Sequence, residues 1–405
     1  MRAAPTLACA VLGLGIASVA QALTLQEELG KSVFFDQNLS LNANQSCAAC
    51  HAPQSGWTGP DATINAGGAV YEGSVPGRFG NRKPPSSAYA TPSPILHLSK
   101  QKGGMFVGGS FWDGRATGER LGSPAAEQAL GPFLNPLEQA LASASAVIGK
   151  VCTSSYTSVF VQVCGAAACD AANVNASYDC LGYAVAAYEA SPEVNPYSSK
   201  YDAVVAGAAR FTSQEQEGHN LFVGRGKCSR CHALNPGGSR SLFTDYTFDN
   251  VGMPRNPANP FYGEDLFNPL GRGWIDAGLG GFLNAQMTHP EWARLARANY
   301  GMQKVPTLRN VDKWDTLMGT KVKAYGHNGY FKTLKGIVHF YNTRDVLPVC
   351  PGEYTEAQAL AANCWPLPEI GLNMNSAELG DLGLSEAEEW ALVEFMKALS
   401  DGFQP

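Results

Sequence analysis

Charge is scarce in this chain. Asp, Glu, Lys and Arg make up 16% of its 405 residues, and the balance is acidic, 35 against 29 basic side chains. A chain so short of cations is a poor partner for nucleic acid or for an anionic membrane surface. Beyond the N-terminus no apolar run approaches the length of a membrane span, and no low-complexity segment appears. Histidine is scarce too, at seven residues, so a His at fixed spacing from cysteine carries weight. Gly and Pro, by contrast, are abundant at 44 and 25, which favours irregular loops.

Residues 1–22 read as a secretory leader. Arg2 is its positive region, Leu7 to Ala20 its apolar run, and Ala20-Gln21-Ala22 its small-x-small cleavage site. Cys9 does not make a lipoprotein site, because the eight residues before it leave no room for an apolar region. The mature chain is expected to start at Leu23, to be soluble and to work in the periplasm, with no membrane span. Loss of Arg2 leaves 28 basic residues (29 − 1) against 35 acidic, a net charge of −7.

The chain is organised around Cys47-Ala48-Ala49-Cys50-His51, which repeats as Cys228-Ser229-Arg230-Cys231-His232. Cys-x-x-Cys-His is the pattern for covalent c-type haem: two thioethers fix the porphyrin and the adjacent His reaches the iron. A pair of structural zinc knuckles is the rival reading, and the His directly after each second Cys speaks against it. Two c-type haems are therefore expected, and their apolar bulk lets loops wrap them without long regular elements. Six cysteines remain, Cys152, Cys164, Cys169, Cys180, Cys350 and Cys364. In an exported protein they read as three disulfides. Fifteen pairings are possible; the local ones, 152–164, 169–180 and 350–364, are favoured.

Each motif follows a similar helix. Thr24-x-x-Glu27 and Thr212-x-x-Glu215 are capping boxes, and from each Thr a Gly follows at +6 (Gly30, Gly218) and a Phe at +10 (Phe34, Phe222). This coincidence points to duplicated cytochrome-c-like units. The turn-rich Ser191-Pro192-Glu193-Val194-Asn195-Pro196, after an apolar helix around Tyr178–Ala190, marks the break between them. The expected architecture is mostly α, with an N-terminal unit over residues 23–200 and a C-terminal unit over 201–405. Ser385-x-x-Glu388 opens an amphipathic helix that closes the second unit.

Four further stretches resemble the dihaem cytochrome c peroxidase/MauG family, and in particular its MauG-like subgroup. They are Phe111-Trp112-Asp113-Gly114-Arg115-Ala116, the run from Glu127 to Glu138, the run from Lys304 to Val311, and His327-Asn328-Gly329. The resemblance implies an enzyme and assigns roles. At the first haem, Glu138 falls on the acid/base position, with Gln128 and Pro132 beside it in the distal pocket. Trp112 matches the tryptophan between the haems. Between Trp112 and Gln128 the chain is several residues longer than the usual pattern. Reductively activated members carry a displaceable His some twenty residues after the first motif; here that place is Tyr71, and residues 52–96 contain no His. The first iron is therefore expected to be five-coordinate, or to hold only water, at rest.

At the second haem the peroxidases use a Met fourteen residues after the His of the His-x-Gly motif. Counting from His327 reaches Tyr341, the residue type of MauG, which makes Tyr341 the expected second ligand beside His232. A phenolate stabilises ferric and higher states where a thioether raises the potential. The family also holds calcium between the haems through an Asn side chain and two backbone carbonyls. Asn81, Val322 and Ala324 fall on these positions, with side chains that differ from the family's at the last two.

These expectations add up to a periplasmic haem-dependent oxidoreductase whose two haems share the oxidising equivalents of hydrogen peroxide. It would pass them to an aromatic residue of a partner protein, with a tryptophan-to-kynurenine conversion, as in MbnH-like enzymes, as the model. The surface tryptophan that MauG carries two residues before its second motif is here Gly226, which speaks against a methylamine dehydrogenase substrate. Trp274, Trp292, Trp314 and Tyr300 are the alternative exits. Two rivals stand beside this reading: a dihaem peroxidase fed by a small cytochrome, and a dihaem electron carrier.

Overall fold

The structure, a computed structural model, describes residues 22–234 and 240–404. All but the last residue of the expected leader lies outside them. Helices dominate, joined by long loops, with only two short two-stranded antiparallel pairings, His97–Ser99 with Met105–Val107 and Phe248–Asp249 with Gln303–Lys304. Among the described residues no helix is long and apolar enough to cross a membrane.

The duplication read from the sequence is a duplication of packing. Helix Leu25–Phe35 starts on Thr24, whose hydroxyl accepts from the Glu27 amide while Glu27 reaches back to the Thr24 amide. Helix Ser213–Val223 starts on Thr212 and Glu215 in the same way. Each lies across a later helix, the first against Val174–Ala190 and the second against Glu386–Lys397. The glycines allow the approach: a methyl on Gly30 would come within 1.9 Å of the Ala184 carbonyl oxygen, and one on Gly218 within 1.9 Å of the Ala391 carbonyl oxygen. The phenylalanines then stack beside the crossings, Phe34 on Tyr188 at 5.7 Å and Phe222 on Phe395 at 5.2 Å.

Each crossing anchors a core. One packs Leu29 and Val33 with Phe133, Leu181 and Tyr188; the other packs Phe222 with Phe243, Phe340 and Phe395. A smaller cluster joins Leu96 and Phe106 to Phe248, Leu279 and Trp292. This ties the early chain to the late one.

Three disulfides form, as expected, but two of them pair differently. Cys350–Cys364 is the local bridge anticipated, whereas the other four cysteines interlock as Cys152–Cys169 and Cys164–Cys180. Helix Thr157–Cys164 explains the difference. It packs on helix Val174–Ala190, which carries Cys180, and this brings Cys164 to Cys180.

A buried cavity between two Cys-x-x-Cys-His motifs

Both motifs fold as a single tight turn. Cys47–Cys50 is one helical turn and Cys228–Arg230 a 3-10 turn. In each, the His amide donates to the carbonyl of the first Cys at 2.9 Å. The His51 ring places Nδ1 at 3.3 Å from the Trp57 carbonyl oxygen, and the His232 ring places Nδ1 at 3.0 Å from that of Phe243. A carbonyl only accepts, so Nδ1 carries the proton and Nε2 is left with its lone pair. Burial holds both rings neutral, lowering His51 to about 4 and His232 below its ordinary value.

Cys47, Cys50, Cys228 and Cys231 are the free cysteines among the described residues. Burial pushes the Cys50 and Cys228 thiols up to about 12, and those of Cys47 and Cys231 up as well. As thiols they are poor nucleophiles, which does not suit a redox or catalytic cysteine pair. The two motifs open into one continuous, largely apolar cavity of about 470 Å³. Paired cysteines, a neutral imidazole with Nε2 free, and an apolar space shared by both form a donor set that fits covalent haem at each motif.

Gln128, Pro132 and Glu138, the residues expected on the distal side of the first haem, all line this cavity. Helix Pro124–Leu134 begins on Ser123 and carries Gln128 and Pro132 four residues apart, on one face. Proline has no N–H, so the helical bond that would run back to the Gln128 carbonyl is missing. The helix ends at Leu134, and the turn after it presents Glu138 to the same cavity. Burial raises the Glu138 carboxyl above its ordinary value, opposed by Arg115 and by a hydrogen bond from the Asn135 side chain. The long connection before this helix is pinned by Glu127, whose carboxylate accepts from the amides of Gly118, Arg120 and Leu121.

Trp112, expected between the haems, is buried in the wall of the cavity that both motifs line. Its Nε1–H donates to the Lys83 carbonyl at 2.8 Å and its ring lies 6.4 Å from that of His327. On the far side, helix Leu334–Thr343 carries Tyr341 into the cavity that His232 lines. Burial, first, and the charges of Cys231 and Asp249 raise the free phenol above its ordinary value.

The pattern described as di-haem cytochrome c peroxidase matches residues 24–210. Over 383 residues the chain is 33% identical to the methylamine utilization protein MauG of Paracoccus denitrificans, covering 92% of this chain and 88% of that protein. The chain belongs to the dihaem cytochrome c peroxidase/MauG family. It is also 31% identical to the cytochrome c551 peroxidase of Nitrosomonas europaea over 314 residues, 77% of this chain and 71% of that one. Among solved structures it resembles the diheme peroxidase BthA of Burkholderia thailandensis, with a TM-score of 0.72 and 30% identity over 95% of this chain and 88% of the other. Membership of this dihaem family implies two haems and makes the chain a haem-dependent oxidoreductase.

Tyr71 lines the cavity, but its hydroxyl accepts from the Asp61 amide at 2.8 Å. His97 is exposed on its strand, with Nδ1 2.8 Å from the Ile95 carbonyl. The histidines lining the cavity are His51, His232 and His327. Trp274, Trp292, Trp314 and Tyr300 do not line it. Trp292 is buried and stacks on His289 at 4.1 Å.

The calcium positions divide. Asn81 and Ala324 line the cavity, whereas the Val322 carbonyl accepts from the Asn65 side-chain amide at 2.9 Å. The carboxylates nearest this region are already paired. Arg82 holds Asp276 through two 2.6 Å contacts and Asp113 through a third. Close by, Lys323 Nζ donates to the carbonyls of Ser55 and Asn310 at 2.9 Å and of Lys313 at 3.1 Å. A dication takes oxygen ligands, backbone carbonyls and amide side chains among them, and Asn81 and Ala324 are the two of the three expected positions that reach the cavity.

Arg115, Arg82 and His327 belong to the site and had been given no role from sequence. Arg115 stands inside a recognised motif and could have been found there. The Arg82–Asp276 pair spans 194 residues, and no local pattern announces it.

Proposed function

We propose that the chain is a periplasmic MauG-like enzyme that draws the oxidising equivalents of hydrogen peroxide from an aromatic side chain of a partner protein. The two haems, when bound, supply the redox chemistry with peroxide. Glu138 takes the proton from the near oxygen of peroxide and returns it to the far one, for which a carboxyl raised by burial suits. Gln128 offers an amide dipole where charge develops. With a haem held at the second motif, Tyr341 would serve beside His232 as a ligand; a phenolate there would disfavour electron acceptance from a small cytochrome and favour retention of oxidising equivalents. Trp112 connects the two halves of the cavity.

The observation that carries this reading is Tyr341 lining the cavity with His232, close enough to Cys231 to feel its charge, at the place where the peroxidases have a Met. Export agrees with the three disulfides, which persist in oxidising compartments. Gly226 argues for a substrate other than that of MauG: a Cβ there would meet the Leu221 carbonyl oxygen at 2.8 Å, so no tryptophan fits. A tryptophan of the partner, converted to kynurenine, is the reaction this reading favours.

Steady-state turnover with a reduced small cytochrome c tests it. The reading predicts slow turnover beside fast reaction of peroxide with the resting diferric protein. Rapid turnover that first requires reduction would make the chain a conventional peroxidase.

A further inference from the structure

The two units share a helix crossing and part company at one position of it. Ala184 of helix Val174–Ala190 corresponds to Ala391 of helix Glu386–Lys397, and Gly182 therefore corresponds to Glu389, each two residues before its alanine. A Cβ on Gly182 would meet the Ala126 carbonyl oxygen at 2.6 Å, so helix Pro124–Leu134, with Gln128 and Pro132, presses its backbone directly on the crossing helix. The second unit puts a buried carboxylate there instead. Three side chains of helix Leu334–Thr343 donate to Glu389: Lys335 through Nζ, His339 through Nδ1 at 2.9 Å and Asn342 through its amide at 2.6 Å.

Lys335, His339 and Asn342 stand at i, i+4 and i+7, on one face of their helix. Leu334, Ile337, Val338 and Tyr341, at i, i+3, i+4 and i+7, form the neighbouring face, and all four line the cavity. One acceptor that holds three donors along a single face fixes how the helix is rolled about its axis. A roll by one residue is about 100°, and it would carry Tyr341 off the cavity. The end of the helix is tied down as well. Asn342 bonds the carbonyl and the amide of Leu384 at 2.8 and 2.9 Å, and the Tyr341 carbonyl accepts from the Gly380 amide at 2.6 Å. The helix that carries Glu389 also crosses helix Ser213–Val223, which leads into the second motif, at Gly218 against Ala391. One helix thus serves as the reference for both His232 and Tyr341.

We propose that Glu389 is a positioning residue: it sets the roll of helix Leu334–Thr343 that keeps Tyr341 in place as the second haem's ligand. In the first unit Gly182 has no side chain to lock the helix that carries Gln128 and Pro132, which suits a distal side left open for peroxide. The inference rests on the reading of Tyr341 as a ligand.

Low-temperature EPR of the diferric holoprotein tests it. Glu389→Gln keeps the size of the side chain and replaces one acceptor oxygen by a donor. It is expected to shift the g values of the low-spin signal and to turn part of that signal high-spin. Gly30→Ala, which loosens the other unit, should leave the low-spin signal as in the parent. His339→Leu leaves the carboxylate two of its three donors; it is the milder variant should Glu389→Gln not fold, and the same signal should shift by less. Tyr341→Phe separates the two levels: a low-spin signal indifferent to it refutes the ligand reading and this inference together. A signal that responds to Tyr341→Phe but to neither Glu389→Gln nor His339→Leu overturns the role of Glu389 alone. So does an equal shift in Gly30→Ala, which would make the effect one of stability only.

Discussion

The indole of Trp112 donates a 2.8 Å hydrogen bond to the carbonyl of Lys83, and both residues are buried between the two motifs. The bond fixes the ring edge, and the ring meets that of His327 edge-to-face, 6.4 Å away centre to centre. Trp112→Phe keeps an aromatic ring and removes the donor, leaving a buried carbonyl unsatisfied. It should cost about 1–3 kcal/mol of stability. It should also slow the spread of peroxide's oxidising equivalents from one haem to the other. Rapid-freeze EPR checks this: the second haem's ferric signal should outlast the first's in the variant, whereas the two should vanish together in the parent.

Glu138 is expected to act as a base toward peroxide, so its ionised form is the competent one. Burial raises its carboxyl above the ordinary carboxylate range. The rate of reaction with peroxide should therefore fall as pH drops through that raised value, well before an exposed Glu would be protonated. Glu138→Gln should abolish this acidic limb and slow the reaction by about 100- to 10,000-fold. Stopped-flow rates across pH for the two proteins decide it; an unchanged limb in the variant would remove Glu138 from the role.

The two glycine crossings make a paired prediction. Gly30→Ala and Gly218→Ala each push a methyl to 1.9 Å from a helix carbonyl, Ala184 in one case and Ala391 in the other. A helix backbone cannot yield by that much without separating the pair. Each should lose about 1–3 kcal/mol or more, measured by thermal unfolding. Gly149→Ala is the control, because nothing lies within 4 Å of its added Cβ.

These crossings also show what a single sequence discloses. Thr24, Glu27, Gly30 and Phe34 recur at identical spacing in Thr212, Glu215, Gly218 and Phe222 because capping, close approach and stacking are local demands. The helices they cross carry a fainter echo, Ala184 and Tyr188 against Ala391 and Phe395, four residues apart in both. The haem motifs are legible for the same reason. What a local pattern does not contain is partnership across the chain, such as Arg82 with Asp276 or Lys323 with Ser55. The cysteine pairing failed there too: proximity in sequence favoured Cys152 with Cys164, whereas packing of helix Thr157–Cys164 on helix Val174–Ala190 brings Cys164 to Cys180.

Peptide mapping of the unreduced protein should find Cys152 joined to Cys169 and Cys164 to Cys180. Because the two bridges interlock, Cys152→Ser with Cys169→Ser should cost about 3 kcal/mol by the loop-closure argument. A peptide linking Cys152 to Cys164 would contradict the packing of helices Thr157–Cys164 and Val174–Ala190 described above.

The most direct measurement is low-temperature EPR of the diferric protein, before and after one equivalent of peroxide and without reductant. The account predicts one high-spin signal, from the iron with an open distal side beside Glu138, and one low-spin signal, from the His232/Tyr341 site. Both should disappear on adding peroxide, and Tyr341→Phe should change the low-spin one. Two low-spin signals that ignore peroxide, unaltered by Tyr341→Phe, would contradict it.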